Sequence, residues 1–149
     1  DAPFFIKGGC QRAEGIGEEL TALKPVNSGY ILLSKADTKP STAEMYRQLD
    51  SKELKCHNTD KVIDALEKRD LKELSVNLFN DFLSVWGKTQ LEQTLLSLSP
   101  LAVSLSGSGP TFFAIFETLA EAEKAQKALK NQKLDCWLAE FCEKAINIE

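Results

Sequence analysis

The first part of the chain places short apolar runs between glycines. Phe4-Phe5-Ile6 is followed by Gly8-Gly9, and two further glycines stand at positions 15 and 17. Short apolar runs separated by turn-forming residues are typical of strands joined by tight turns. The pattern therefore predicts strands and a hairpin, rather than a helix, over residues 1–20. Residues 30–33, Tyr-Ile-Leu-Leu, predict a further buried strand.

Helical periodicity dominates the middle of the chain. Between residues 60 and 98 the apolar positions recur three or four residues apart, and breaks near Asp70 and Gly87 divide this segment into three predicted helices. Four helix starts carry a capping pair, in which Ser, Asp or Thr is followed three residues later by Glu. These pairs are Ser41 with Glu44, Asp70 with Glu73, Thr89 with Glu92, and Thr118 with Glu121.

The last third of the chain returns to strand-like patterns. Residues 101–105 and 112–116 predict two strands, and residues 106–110, Ser-Gly-Ser-Gly-Pro, predict the turn between them. A helix is predicted from Thr118 to about Lys130, and a strand-rich stretch covers residues 136–148. Strands mixed with several helices, without a regular strand–helix alternation, predict an α+β fold.

Composition narrows the class of protein. The 149 residues are 43% hydrophobic and 27% charged, which suits one compact domain, or one domain with a remnant of another. The net charge of −4 argues against nucleic acid and against an acidic membrane surface as partners. No apolar run is long enough to cross a bilayer and no signal-peptide pattern is present, so we expect a cytoplasmic protein.

The cysteines predict neither a metal site nor disulfides. They lack the paired spacing of zinc ligands, and the sequence contains a single histidine, His57. We therefore expect reduced thiols and no metal ligand in this chain. The cysteines stand at positions 10, 56, 136 and 142.

Two glycine clusters are candidates for phosphate binding. Gly15-Ile16-Gly17 resembles the start of a dinucleotide fingerprint, but the third glycine is missing and the following glutamates would repel a pyrophosphate, which favours a plain strand turn. In Ser106–Pro110 two glycines stand one residue apart, so that the backbone can approach a ligand and successive N–H groups can form an anion-binding nest. A plain hairpin turn is an equal alternative there. The sequence has no Walker motif, which excludes a P-loop enzyme.

Asp1 is a third candidate, for acid–base chemistry. A carboxylate beside the apolar Pro3-Phe4-Phe5 could act as a general base. The residues alone favour a frayed terminal side chain.

Four segments together resemble the GHMP superfamily of small-molecule kinases, in particular its 4-diphosphocytidyl-2-C-methyl-D-erythritol kinases. The first and last of these segments are fairly specific, whereas the middle two would mean little alone. Ala2 departs from the family's usual Val, a small change in packing. The segments are Asp1-Ala2-Pro3-Phe4-Phe5 with Gly8-Gly9 and residues 14–20, then Pro40-Ser41-Thr42, then Asn80-Asp81-Phe82, and finally residues 105–111, Leu-Ser-Gly-Ser-Gly-Pro-Thr.

The resemblance implies a fold and an activity. It implies that residues 30–149 form the family's C-terminal domain, a ferredoxin-like sheet covered by helices, and that residues 1–29 are a strand remnant of the N-terminal, ribosomal-S5-like domain. The implied activity is transfer of the γ-phosphoryl group of ATP, with Mg²⁺, to the 2-hydroxyl of 4-diphosphocytidyl-2-C-methyl-D-erythritol in non-mevalonate isoprenoid biosynthesis. Asp1 matches the catalytic aspartate. Residues Ser106, Gly107, Ser108 and Gly109 match the glycine-rich loop beside the active site.

The resemblance also implies that important parts lie before Asp1 in a longer protein. The ATP-binding loop, the lysine that partners the catalytic aspartate and the aromatic residues that hold cytosine belong there. We therefore expect a C-terminal fragment that neither binds ATP tightly nor turns over by itself, in the cytoplasm or, for a plant protein, in the plastid stroma. Unpaired strand edges in residues 1–29 favour a homodimer. Another GHMP branch such as homoserine kinase, and a stand-alone α+β interaction or ligand-binding module, are the alternatives.

Overall fold

A computed structural model describes residues 2–53 and 59–142. The first part contains α1 (Ala2–Lys7), β1 (Cys10–Glu14), β2 (Glu19–Leu23) and β3 (Tyr30–Lys35). The middle is helical, with α2 (Thr42–Asp50), α3 (Thr59–Lys68), α4 (Leu71–Asn77), α5 (Phe82–Trp86) and α6 (Gln90–Ser97). The last part contains β4 (Ala102–Leu105), β5 (Thr111–Phe116), α7 (Leu119–Asn131) and β6 (Cys136–Glu140).

Four strands form an antiparallel sheet in the spatial order β4-β5-β3-β6. The strand β3 is central, so that Leu32 lies opposite Ala114 of β5 on one side and opposite Leu138 of β6 on the other. Helices connect β3 to β4 and β5 to β6, which gives the split βαβ arrangement of ferredoxin-like folds. The predicted α+β class and the ferredoxin-like sheet are confirmed.

Both faces of this sheet are covered. Because successive side chains of a strand point to opposite faces, Phe112 and Ala114 of β5 join one buried cluster and Ile115 joins another. The first cluster includes residues of α2, α6 and α7, and the second includes residues of α3 and α4. Fully buried side chains such as Leu32 and Phe112 each stabilise the fold by about 2 kcal/mol through removal from water.

The four predicted helix starts are confirmed by their capping hydrogen bonds. In each case the amide of the glutamate donates to the side-chain oxygen of the N-cap residue three positions earlier. The distances are 3.1 Å at Ser41, 2.9 Å at Asp70, 3.0 Å at Thr89 and 3.3 Å at Thr118, where Glu121 also accepts from the Thr118 amide.

The segment between residues 60 and 98 holds four helices, so the prediction of three was wrong. The predicted breaks near Asp70 and Gly87 are present, but a further break at residues 78–81 separates α4 from α5. Asn80 explains it, because its side-chain oxygen accepts from the Phe82 amide at 2.9 Å and its Nδ2 donates to Leu105 O at 2.8 Å. A side chain that bonds the backbone in this way competes with helix continuation.

Residues Phe4-Phe5-Ile6 lie in α1, so the strand predicted for them was wrong. Pro3 suits the first turn of a helix because its ring fixes a helical φ. The helix ends where the Gly8 amide donates to Phe4 O at 2.7 Å, with Gly8 at a φ of 65°. Phe5 and Ile6 remain 63% and 85% exposed, so this apolar run does not mark a core strand.

The predicted hairpin in the first part of the chain is confirmed. It consists of β1 and β2, which pair antiparallel from Cys10 opposite Leu23 to Glu14 opposite Glu19. The strand β6 confirms the start of the strand-rich stretch predicted near the end of the chain, and residues 143–148 of that prediction lie outside the described residues. Within residues 2–53 and 59–142, every helix is too short or too polar to cross a membrane.

Candidate functional site

Residues 106–110 form the turn between β4 and β5, as predicted. The Ser106 amide donates to Thr111 O at 2.8 Å, and the Gly109 amide donates to Ser106 O at 2.9 Å. Gly107 and Gly109 have φ values of 54° and 79°, a region that favours glycine. We call residues 106–110 the glycine-rich loop.

Gly109 is required by a close approach as well as by its backbone angle. A Cβ atom at this position would lie 2.6 Å from an indole carbon of Trp86 and 3.0 Å from a methyl group of Leu105. The Trp86 ring stacks on Phe112, with 5.3 Å between the ring centroids. The loop is therefore packed directly onto the end of α5 and the buried start of β5.

Every backbone carbonyl of the glycine-rich loop accepts a hydrogen bond. Three of the donors come from parts of the chain that are distant in sequence. The Gly109 amide donates to Ser106 O (2.9 Å), and Asn80 Nδ2 donates to Gly107 O (2.9 Å). Lys39 Nζ donates to both Ser108 O (3.3 Å) and Gly109 O (3.2 Å). The Ala36 amide donates to Pro110 O (3.0 Å).

Two amide groups of the loop, unlike its carbonyls, have no hydrogen-bond partner among the described residues. Among the described residues, none accepts a hydrogen bond from the N–H of Gly107 or of Ser108. Two consecutive N–H groups in a turn, with the neighbouring carbonyls held elsewhere, can together bind one anionic oxygen. Gly107 is exposed and Ser108 is half-buried, so these two amides fit a hairpin turn that faces solvent as well as an anion site, and anion binding by the loop stays a prediction.

A cluster of polar side chains joins the loop to the start of α2. Lys39 Nζ lies 3.0 Å from Thr42 Oγ1 and 3.1 Å from Ser108 Oγ, and the two hydroxyl oxygens are 3.1 Å apart. We call Lys39, Thr42 and Ser108 the Lys39 cluster. The structure thus brings residues 39–42 and residues 80–82 together at the loop, a proximity that no local pattern predicts.

Lys39 was missed from the sequence. Nothing distinguishes it from the other basic residues except its position directly before Pro40 and the Ser41 N-cap. A lysine that precedes a helix start is common on protein surfaces, so only its tertiary contacts reveal its position against the loop.

Asp1 lies outside the described residues. The structure gives no distance from its carboxylate to the glycine-rich loop, and its catalytic role stays a prediction. In residues 2–53 and 59–142 no group of three or more His, Cys, Asp or Glu side chains is placed to hold a metal ion.

The other glycine pair forms a turn that closes on itself. The Ile16 amide donates to the Glu18 carboxylate at 2.6 Å, and the Gly17 amide donates to Glu14 O at 3.0 Å. With these donors occupied and a carboxylate in the turn, the site is unsuited to a phosphate. Residues 15–18 are the connection between β1 and β2, as the strand-turn interpretation predicts.

An apolar cavity of about 520 Å³ lies between the hairpin and helices α3 and α4. Leu23, Val62 and Leu74 are among the apolar side chains that line it, together with Cys10. Burial raises the pKa of the Cys10 thiol, which lowers the fraction of reactive thiolate. None of the residues that line this cavity belongs to the glycine-rich loop.

Comparison with known proteins identifies the family. The profile described as GHMP kinases C terminal matches residues 62–135. Curated proteins named 4-diphosphocytidyl-2-C-methyl-D-erythritol kinase are similar over most of the chain. The protein from Alkaliphilus metalliredigens is 36% identical over 135 residues (87% of this chain and 46% of that protein), and the one from Clostridium novyi is 32% identical over 144 residues (93% and 51%). The chain thus spans about half the length of the curated relatives it matches.

Solved structures show the same fold. A homoserine kinase from Cytophaga hutchinsonii superposes with a TM-score of 0.73 at 16% identity, over 97% of this chain and 51% of that one. A 4-(cytidine 5'-diphospho)-2C-methyl-D-erythritol kinase gives a TM-score of 0.73 at 22% identity, over 95% and 53%. Together with the curated relatives and the matching profile, these likenesses show that the chain belongs to the GHMP kinase superfamily.

Proposed function

We propose that this chain is the C-terminal part of an ATP-dependent kinase that phosphorylates the 2-hydroxyl of 4-diphosphocytidyl-2-C-methyl-D-erythritol. The observation that carries the proposal is the glycine-rich loop, whose carbonyls are all occupied while the amides of Gly107 and Ser108 have no acceptor among the described residues. An anion site of this kind suits a substrate that carries phosphate groups. The names of the curated relatives supply the substrate class.

The loop fits the chemistry of phosphoryl transfer. Catalysis of this reaction consists mostly of positioning and of stabilising negative charge on phosphate oxygens. The N–H groups of Gly107 and Ser108 would donate to such an oxygen, because no acceptor in residues 2–53 and 59–142 uses them. ATP with Mg²⁺ supplies the γ-phosphoryl group when bound. Neighbouring carbonyls would repel the same oxygen, and their bonds to Asn80 and Lys39 keep them occupied.

Asp1 is proposed to orient or deprotonate the acceptor hydroxyl. A carboxylate close to the hydroxyl increases the charge that the attacking oxygen can direct at phosphorus. This role comes from the family resemblance of residues 1–5. A small molecule is the proposed partner, and a homodimer in the cytoplasm is the proposed state.

The test is a phosphoryl-transfer assay on the full-length protein with MgATP and the cytidyl-methylerythritol substrate. Asp1→Asn keeps the size of the side chain and removes its charge, so kcat should fall about 100-fold or more. Asp64→Asn makes the same change at an exposed position of α3 and should leave kcat unchanged.

Each result has a separate meaning. Full activity in Asp1→Asn would remove the role of Asp1 and keep the kinase. Turnover of homoserine or another small alcohol instead would move the protein to another GHMP branch. A full-length protein that transfers no phosphoryl group to any of these acceptors would contradict the proposal and favour a ligand-binding module.

A further inference from the structure

The ammonium group of Lys39 is surrounded by oxygen atoms. A lysine has three N–H donors, and four acceptors lie within hydrogen-bonding distance here, so the group is fully engaged by protein atoms. Two of the acceptors are backbone carbonyls of the glycine-rich loop. The four are Thr42 Oγ1 (3.0 Å), Ser108 Oγ (3.1 Å), Gly109 O (3.2 Å) and Ser108 O (3.3 Å).

The carbonyl contacts of Lys39 control the direction of the free amides through the peptide planes. In a trans peptide unit the C=O of one residue and the N–H of the next are fixed relative to each other. Lys39 holds Ser108 O, which orients the Gly109 amide toward Ser106 O. That second bond holds Ser106 O, which belongs to the Ser106–Gly107 peptide unit, and so fixes the direction of the Gly107 amide.

Asn80 acts on the neighbouring unit in the same way. Its bond to Gly107 O orients the Ser108 amide. The two side chains therefore divide the loop between them, and each sets the direction of one of the two amides that lack an acceptor. Lys39 differs from Asn80 in that it also adds a positive charge beside the loop, which favours an anion there.

We propose that Lys39 is a positioning residue of the proposed kinase reaction, which holds the glycine-rich loop so that the Gly107 and Ser108 amides face a phosphate oxygen. The inference rests on the proposed function for the identity of the anion. The geometry of the hold itself is independent of that function. Ordinary surface lysines contribute little because they exchange one exposed partner for water, whereas Lys39 has four acceptors on two elements.

Steady-state kinetics of the full-length protein with MgATP and the cytidyl-methylerythritol substrate form the first arm of the test. Lys39→Met removes the donors and the charge, and kcat should fall about 30-fold, since a small misplacement of binding groups is costly. The KM values should change less than about threefold, because the hold acts on the transition state more than on ground-state binding. Lys39→Arg keeps donors and charge and should recover most of kcat. Lys127→Met, an exposed lysine of α7, is the matched control and should match the wild type.

Amide hydrogen exchange in the same protein forms the second arm, which needs no activity. In Lys39→Met the amides of Ser106 and Gly109 should exchange about 10-fold faster, because the loop opens locally more often. Amides of β3 should be unaffected, and so should the melting temperature. If the wild type proves inactive, the proposed function fails while the exchange rates still decide the role of Lys39.

Two results for Lys39→Met would overturn the proposal. The first is a kcat equal to that of the wild type, and the second is a loss of kcat with unchanged amide exchange at Ser106 and Gly109. A third test applies if the Lys39→Met protein does not fold. In that case the double variant Thr42→Val, Ser108→Ala, which removes both hydroxyl acceptors, should raise exchange at Gly109 about threefold, and unchanged exchange would contradict the hold.

Discussion

Two turns of this protein share the spacing Gly-x-Gly, and they differ in almost everything else. Residues 15–17 connect β1 and β2, residues 107–109 lie between β4 and β5, and all four glycines have positive φ. In the first turn the amides of Ile16 and Gly17 are used by residues of the same hairpin. In the second, distant side chains hold the carbonyls and two amides have no acceptor among the described residues.

Each turn has one glycine in open space, Gly17 or Gly107, and the two turns differ in what the other glycine approaches, which is the Glu18 carboxylate at Gly15 and the Trp86 ring at Gly109. Ile16 is 96% exposed, and a Cβ atom on Gly17 would meet nothing within 4 Å. A Cβ atom on Gly109 would meet the Trp86 ring. Glycine spacing alone therefore does not decide whether the amides are free, because in the first turn Glu18 and Glu14 O accept from them.

The largest expected effect comes from filling the space at Gly109. Gly109→Ala should lower the free energy of unfolding by about 3 kcal/mol, since the positive φ and the contact with Trp86 both oppose the methyl group. Gly17→Ala is the matched control, with positive φ and open space, and should cost about 1 kcal/mol. Urea unfolding measures both, and equal losses would show that the close approach to Trp86 does not matter.

The second-largest effect on the free energy of unfolding should come from removing the side chain of Asn80, which donates to backbone carbonyls. Asn80→Ala leaves the Leu105 carbonyl of β4, the Gly107 carbonyl of the loop and the Phe82 amide without their partner, and should cost about 2 kcal/mol. Asn77→Ala removes a side chain that bonds only Glu73 of its own helix, and should cost about 0.5 kcal/mol. Thermal unfolding distinguishes them. Similar values would indicate that solvent replaces the Asn80 bonds at no cost.

A weaker effect is expected when inorganic phosphate is added to the chain. The amide NMR signals of Gly107 and Ser108 should shift with a dissociation constant on the order of 10 mM, since two N–H donors form a shallow site. The signals of Ile16 and Gly17 should not move, because their N–H groups already have acceptors. Shifts of equal size at both turns would remove the distinction between them.

The smallest effect should come from Ile16→Ser, which gives the first turn the same three residue types as positions 107–109. Because Ile16 is almost fully exposed, the free energy of unfolding should change by less than about 0.5 kcal/mol. The variant should still show no phosphate-dependent shift at residues 15–17. A phosphate response there would mean that composition, and not the partners of the carbonyls, makes the site.

The features predicted from the sequence are those with local causes. The caps at Ser41 and Thr118 depend on a glutamate three residues later, and the alternation in Phe112-Phe113-Ala114 depends on the strand itself. The break after α4 was missed because Asn80 bonds residues 25 and 27 positions away. The contact between Lys39 and Ser108 spans 69 positions, and no local pattern records it.

The glycine-rich loop combines a feature with a local cause and a feature that depends on distant contacts. Its turn was predicted, because two glycines and a proline leave few other conformations. Its binding of an anion stays a prediction, because it depends on bonds from residues 36, 39 and 80 that no local pattern records. The helix α1 shows the reverse error, in which an apolar run suggested a strand although its Phe5 and Ile6 are exposed.

The central position of β3 determines when this protein can fold during synthesis. Both neighbours of β3 are made later, since β5 occupies residues 111–116 and β6 residues 136–140. The buried Ser34 hydroxyl finds its acceptor, Asp135 O, only 101 positions further on. While the ribosome makes the helices in between, both edges of β3 stay open. The sheet therefore closes only after β6 has emerged, and a nascent chain stalled before residue 136 leaves at least one edge of this apolar strand exposed to chaperones.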